Sequence, residues 1–295
     1  MSQPPLLDPR LNACRGDLAD ERLHGLVAAS RFTAGRAARV IVGCAPLHRA
    51  PASDAPLDSF CHYGEAVRVF ETAGGYAWCQ SGFDAYVGYV PADCLALDDA
   101  AAPTHFVVPL GAHLYAAPDL RSRAVDLLPR HSAVVIVEAE LMTRGTEYVR
   151  LDRGGYLPLA GLSPTAPRSP DIVAAAELYL GCPYLWGGRS ALGLDCSGLV
   201  QSACRDLGIA APRDTDMQRD TLGEAVAVAQ AADLRRGDLL YLPGHVLIDA
   251  GDGNVIHADG ATMTVRHDRL ADWMRVQRLD WPRFAVRRLP APSAG

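Results

Sequence analysis

The feature that most restricts this 295-residue chain is an internal repeat at a constant offset of 67 positions. Leu47 and Pro51 recur as Leu114 and Pro118. The run Gly64–Glu71 (GEAVRVFE) recurs as His131–Glu138 (HSAVVIVE), Gly88–Pro91 (GYVP) as Gly155–Pro158 (GYLP), and Leu95 as Leu162. One offset shared by separated blocks marks a duplicated structural unit. The middle of the unit is looser, around Trp78 and Tyr148, and requires an insertion with a compensating deletion. Each copy alternates apolar and polar residues, as at Val67 and Val69 or Val134 and Ile136, which predicts strands half-buried on one face. Tyr76–Cys79 and Tyr148–Leu151 read as second strands, and the GYVP and GYLP blocks as short strands reaching a turn. About five short strands in roughly 60 residues predict a small all-β barrel, once over residues 39–100 and again over 101–165.

Residues 1–38 precede the repeat as an arm. Within it Asp17–Phe32 reads as a helix, with Leu23, Leu26, Val27 and Phe32 on one side to pack on the first barrel. After the repeat, Ser163–Asp171 carries three prolines and reads as a linker. The pattern then becomes helical. Ser169 suits an N-cap and Pro170 a first helical position, with Ile172, Val173, Ala176 and Leu180 at helical spacing and a stop at Gly181. A second helix has Asp195 as N-cap, Leu199, Val200, Ala203, Cys204 and Leu207 as its apolar face, and Gly208 as its stop. From Gly237 onward strands follow one another, with a hairpin signal at Asp252-Gly253. Helices followed by an antiparallel sheet predict an α+β domain over residues 166–292.

Composition narrows the function classes. The formal net charge is -6, and no cluster of Lys and Arg offsets it. That argues against a nucleic-acid or anionic-membrane partner. No apolar run approaches the roughly 18 residues of a membrane span, and the start MSQPPLLDPR lacks the pattern of a secretory signal. The expected location is therefore the cytoplasm, where the 8 cysteines, with no CxxC pair among them, should be free thiols.

Cys196 carries the chemistry. Cysteine attacks as a thiolate, and a helix N-terminus and a nearby imidazole both favour that form. Cys196 lies in a first helical turn. His245 opens one strand and can act as base, and His257 lies on the next strand, suited to orient the first imidazole. The backbone N–H of Cys196 is a candidate oxyanion donor. A tight turn at Asp252-Gly253 would pair residue 248 with residue 257 and point His245 and His257 to opposite faces. Both reach one site only through an odd loop count, a bulge, or an irregular start to the first strand.

The blocks PYLWGG, LDCSG, Pro212-Arg213, RGDLLYL, GHVLI and VIHA, in this order over about residues 168–290, resemble the NlpC family of papain-like cysteine peptidases. The repeat resembles the bacterial SH3-like domain. The resemblance implies two small all-β SH3-like barrels followed by an α+β papain-like catalytic domain. It implies a cytoplasmic γ-D-glutamyl-L-diamino acid endopeptidase of cell-wall recycling, which needs no cofactor or metal. Such an enzyme cleaves murein-derived peptides with a free N-terminal L-Ala. Cys196, His245 and His257 then match the nucleophile, base and orienting residue. Asp195 matches the carboxylate that receives the substrate ammonium, and Ser197 and Tyr184 match its neighbours. Glu65 and Tyr86 best match a carboxylate and a tyrosine contributed by the first barrel, and Thr215 stands where the family often has serine. Gly244 and Tyr89 also depart from the family pattern. An exported hydrolase of intact peptidoglycan, an acyltransferase and a binding protein are the competing readings. Oligomeric state is not legible in the sequence.

Overall fold

The computed structural model describes residues 7–97, 102–281 and 283–290. The expected boundary between repeat copies at 100/101 and the expected domain end at 292 lie outside them. The chain divides into two compact units, residues 1–167 and 168–295.

In the first unit the 67-residue offset becomes an offset between elements. Strand Cys44–His48 is matched by Gly111–Tyr115, Leu57–His62 by Ala124–Pro129, and the 3-10 turn Ala92–Cys94 by Leu159–Gly161. Strand Tyr76–Ser81 is matched by Thr146–Leu151 at an offset of 70, which locates the insertion. Its burial pattern carries over, with Trp78 and Tyr148 both in the core. Strands of the first copy form one seven-stranded sheet. Those of the second form a five-stranded and a three-stranded sheet. The copies share packing: Tyr63 of the first lies in the core cluster of the second, with Leu114, Leu128 and Val149. The Ala133 N–H donates to the Tyr63 carbonyl at 3.1 Å, and the Gly43 N–H to Asp126 Oδ2 at 2.7 Å.

The amino-terminal arm corrects an expectation. Asp17–Phe32 is not an α-helix. It contains the short strands Ala19–Asp20 and Phe32–Thr33, paired in parallel, with a 3-10 turn at Glu21–Leu23. Gly25 takes a left-handed conformation with φ of 81° and breaks the helical path. Leu23 is buried while Leu26 is exposed, so the apolar spacing does not mark one face. Packing on the first copy still occurs, through Ala13 and Leu18 against Phe70 and Trp78, and Arg15 lies 4.3 Å over the Trp78 ring.

The second unit is α+β. Among the described residues four helices, α1 Ile172–Glu177, α2 Cys196–Leu207, α3 Thr215–Thr221 and α4 Leu270–Gln277, accompany a six-stranded sheet. Leu239–Leu242, His245–Gly251 and Asn254–Asp259 follow one another in it, and Thr264–Arg269 forms the edge beside the last of these. Helix α1 starts later than expected, because Asp171 rather than Ser169 accepts the capping bond, from the Ala174 N–H at 2.8 Å. Ser169 instead donates to Asp206 Oδ2 at 2.6 Å. Beyond Glu177 the chain continues in tight turns to Gly181.

One irregularity decides the site. Strands His245–Gly251 and Asn254–Asp259 pair Ile248 with Ile256, and the register shifts between Asp249 and Gly251. Extending the Ile248–Ile256 register places His245 across from Asp259, two residues from His257. Both histidines therefore share a face. The bulge is one of the three arrangements the sequence required.

Candidate active site

Cys196 opens α2. Asp195 precedes it as an extended N-cap and accepts from the Gly198 N–H at 2.7 Å, and Gly208 closes the helix in the left-handed region. The first turn presses on a neighbouring loop. A Cβ on Gly198 would stand 2.0 Å from the Gly188 carbonyl oxygen, so the glycine of the LDCSG block is required by close approach.

The buried Cys196 thiol donates to the Gly244 carbonyl at 3.9 Å, and the backbone N–H groups of Val246 and Ser197 face its sulfur. The sulfur thus lies against the backbone on either side of His245. Gly244 adopts φ of 76°, and its conformation rather than crowding accounts for glycine there. His245 Nε2 lies 3.0 Å from His257 Nδ1. His257 is almost fully buried, and its Nε2 lies 3.1 Å from Asp268 Oδ2.

The electrostatics differ from the expected lowered thiol. Burial pushes Cys196 up to about 12, and Asp195 adds to this, against the Val246 and Ser197 N–H groups and Arg213. Burial, and then His257, push His245 down to about 4. Burial thus disfavours the charged form of both groups, which favours thiolate formation by proton transfer during the reaction. The predicted acid limb of kcat/KM then lies well below the ordinary imidazole value of about 6.5. A pH–rate profile with its acid midpoint at or above that value would contradict this. Stability should also fall as pH drops from about 6.5 towards 4, because the unfolded chain binds the His245 proton first.

Asp195 is nearly buried. Its Oδ1 accepts from Ser197 Oγ (3.1 Å), Gly198 N (2.7 Å) and Arg213 Nη1 (3.0 Å), and its Oδ2 from Gly187 N (2.9 Å) and Arg213 Nη2 (2.6 Å). An arriving ammonium would join an existing ion pair, so its selection by this carboxylate is weaker than selection by a bare one. Tyr184 is half-buried, with its hydroxyl pushed up to about 12 by burial and by the neighbouring Cys196 and Asp195. Its backbone N–H bonds the Met263 carbonyl at 2.9 Å. The structure thus brings Cys196, His245, His257, Asp195, Ser197 and Tyr184 together. Thr215 sits at the head of α3, two residues beyond Arg213. Glu65 and Tyr86 belong to the other unit. There Glu65 Oε2 accepts from the His62 N–H at 2.9 Å, and Tyr86 is buried beside the strand Val87–Pro91.

Comparison with known proteins agrees with this geometry. Residues 181–280 match the model of the NlpC/P60 family, and residues 47–95 match that of the bacterial dipeptidyl-peptidase Sh3 domain. The carboxy-terminal unit is thus similar to NlpC/P60 proteins over residues 181–280. The chain is 29% identical over 201 residues to a Bacillus cereus protein named gamma-D-glutamyl-L-lysine dipeptidyl-peptidase, covering 62% of this chain and 59% of that one. It is likewise 29% identical to dipeptidyl-peptidase 6 of Lysinibacillus sphaericus, over 74% of this chain and 86% of that one. The crystal structure of an NlpC/P60 family protein from Bacillus cereus superposes with a TM-score of 0.68 at 22% identity, covering 86% of this chain and all of that one. That superposition speaks to the fold.

Three residues of this unit were not singled out as site residues from sequence. Arg213, buried and 18 positions beyond Asp195, forms the bidentate pair just described. Asp268 stands behind His257, with Arg266 Nη2 on its other oxygen at 2.6 Å. Trp273 of α4 stacks on His245 (centroids 5.7 Å apart, planes 22°) and meets His257 edge-on at 5.8 Å, restricting both rings. For Arg213 the Pro-Arg block was a signal. Asp268 lies diagonally across from His257, which pairs with Arg266, and only strand register reveals that. Among the described residues no group of three His, Cys, Asp or Glu side chains forms a metal site.

Proposed function

We propose that this protein is a cysteine endopeptidase that hydrolyses the γ-D-glutamyl–diamino acid bond of peptidoglycan stem peptides. The observation that carries this is the thiol at the start of α2 beside a two-imidazole relay, His245 Nε2 to His257 Nδ1 at 3.0 Å. The family match and the relatives' names supply the substrate class. His245 takes the Cys196 proton as sulfur attacks the γ-carbonyl carbon. The oxyanion meets the Cys196 backbone N–H. His245 then protonates the departing amine, and water, deprotonated by the same imidazole, releases the γ-linked product.

Tyr184, Ser197 and Asp195 line the substrate's amino-terminal side in this reading, and Thr215, Glu65 and Tyr86 are further contacts drawn from the family resemblance. The second repeat copy is a second SH3-like barrel. The enzyme acts on free peptides in cell-wall recycling in the cytoplasm, a reading favoured by eight free thiols.

The test is incubation with L-Ala-γ-D-Glu-diaminopimelate, its lysine counterpart and the N-acetylated forms, with products followed by mass spectrometry. Release of L-Ala-D-Glu from the free peptides supports the reading. A preference of roughly tenfold over the acetylated forms is expected, since one charge-assisted contact of about 1.5 kcal/mol is at stake. Equal cleavage removes the role of a free amine and favours a hydrolase of intact wall. No cleavage of any peptide overturns the proposal.

A further inference from the structure

An imidazole is an ambiguous orienting group. An amide offers one fixed acceptor, but a histidine carries its neutral proton on either nitrogen, and only one choice serves catalysis. For His245 to accept the thiol proton on Nδ1, its Nε2 must carry hydrogen and donate. For that, His257 Nδ1 must be bare and its Nε2 must carry hydrogen. The outer partner of His257 therefore determines the proton pattern of both rings.

That partner is Asp268, whose Oδ2 lies 3.1 Å from His257 Nε2. An ionised carboxylate only accepts, so it demands hydrogen on Nε2. Arg266 Nη2 donates to the other oxygen at 2.6 Å and holds the carboxylate in place. The arrangement is built by register: His257 pairs with Arg266 across the strands, and Asp268 lies two residues further along on the same face. Trp273 blocks ring reorientation from the side. The charged and titratable groups around His257 are His245 on one neighbouring strand, Asp268 and Arg266 on the other, and Asp259 on its own strand.

We propose that Asp268 is the positioning residue that sets the proton pattern of the two-histidine relay, acting through His257 on His245. The inference rests on the reading of His245 as the base. It deepens that reading by placing the determinant of tautomer outside the three expected catalytic residues. Asparagine at 268 can turn its NH2 to His257 Nε2. The whole pattern then reverses, leaving a hydrogen on His245 Nδ1 where a lone pair is required. When His245 becomes imidazolium, the Asp268 charge also stabilises it through the intervening ring.

The experiment uses the full-length protein and Asp268→Asn and Asp268→Glu variants with two readouts. One is kcat and KM on L-Ala-γ-D-Glu-diaminopimelate. The other is the alkylation rate of Cys196 by iodoacetamide from about pH 6 to 10, followed on the Cys196 peptide by mass spectrometry. For Asp268→Asn, kcat should fall roughly 10–100-fold with KM changed less than about twofold. Cys196 alkylation at neutral pH should slow about tenfold, and the gap to the parent should narrow towards about pH 10 as hydroxide takes over removal of the thiol proton. Asp268→Glu should recover at least part of both. Parental kcat and alkylation profile in Asp268→Asn would overturn the proposal. So would a loss of kcat that Asp268→Glu does not relieve, accompanied by a lowered melting temperature and an unchanged alkylation profile, which marks a structural role. If the parent cleaves no peptide, the substrate assignment fails, and the alkylation profile still decides the role of Asp268 by the same two outcomes.

Discussion

Replacing Cys196 with alanine should abolish peptide cleavage, with kcat reduced by roughly 10^4-fold or more. The fold should hardly register the change. Cys196 occupies an N-terminal helical position whose cap is Asp195, and alanine removes only the sulfur and its contacts to Gly244, Val246 and Ser197. His245→Ala should cost nearly as much, because a thiol pushed up by burial then loses the imidazole assigned to take its proton. Members of one catalytic unit are not additive, so the Cys196→Ala/His245→Ala double variant should be no slower than Cys196→Ala alone. Steady-state kinetics on the free tripeptide, with circular-dichroism melts beside them, provide the check. Residual activity of a few per cent in Cys196→Ala would remove it as nucleophile. A double variant whose losses multiply would show that the two side chains act separately.

The second large effect is on stability. Arg213→Ala should destabilise the carboxy-terminal unit by about 3–5 kcal/mol, the cost of leaving a buried charge without its partner. Asp195 and Arg213 are both nearly buried and meet in two hydrogen bonds, of 3.0 and 2.6 Å. Arg213 also bonds Ser197 Oγ at 2.9 Å, so its removal loosens the first turn of α2. Without the guanidinium, Asp195 keeps its donors from Gly187, Gly198 and Ser197 but loses its counter-charge. Arg213→Lys should recover little, because a lysine cannot span both oxygens in the planar fork. Such a loss corresponds to a drop in melting temperature of roughly 10–20 °C for a unit of this size, read by differential scanning calorimetry. A shift under about 2 °C would mean that the pair is replaceable by water.

What the sequence revealed follows the range of the interactions involved. Asp195, Cys196 and Gly208 were legible because capping is local, decided within three or four residues. The repeat was legible because its two copies print the same local pattern twice, and even the looser stretch at Trp78 and Tyr148 resolves into an offset of 70. The arm was misread because Leu23, Leu26, Val27 and Phe32 imitate a helical stripe. Gly25 and the pairing of Ala19 with Phe32 outweigh that periodicity. The identities of His245 and His257 were legible, but their shared face depended on a bulge, and a turn dipeptide does not encode one. Asp268 and Trp273 came from register and helix docking, which no spacing rule expresses.

The turn between the two histidine strands has a practical meaning. It lies at an exposed hairpin tip with glycines at 251 and 253, the sort of place a protein engineer would choose for a tag, a graft or new chain termini. Here the tip works as a counter. Adding or removing one residue could leave the sheet intact and the core filled, yet turn His245 away from His257. A library built by inserting codons into this surface loop would therefore yield soluble, folded, inactive proteins.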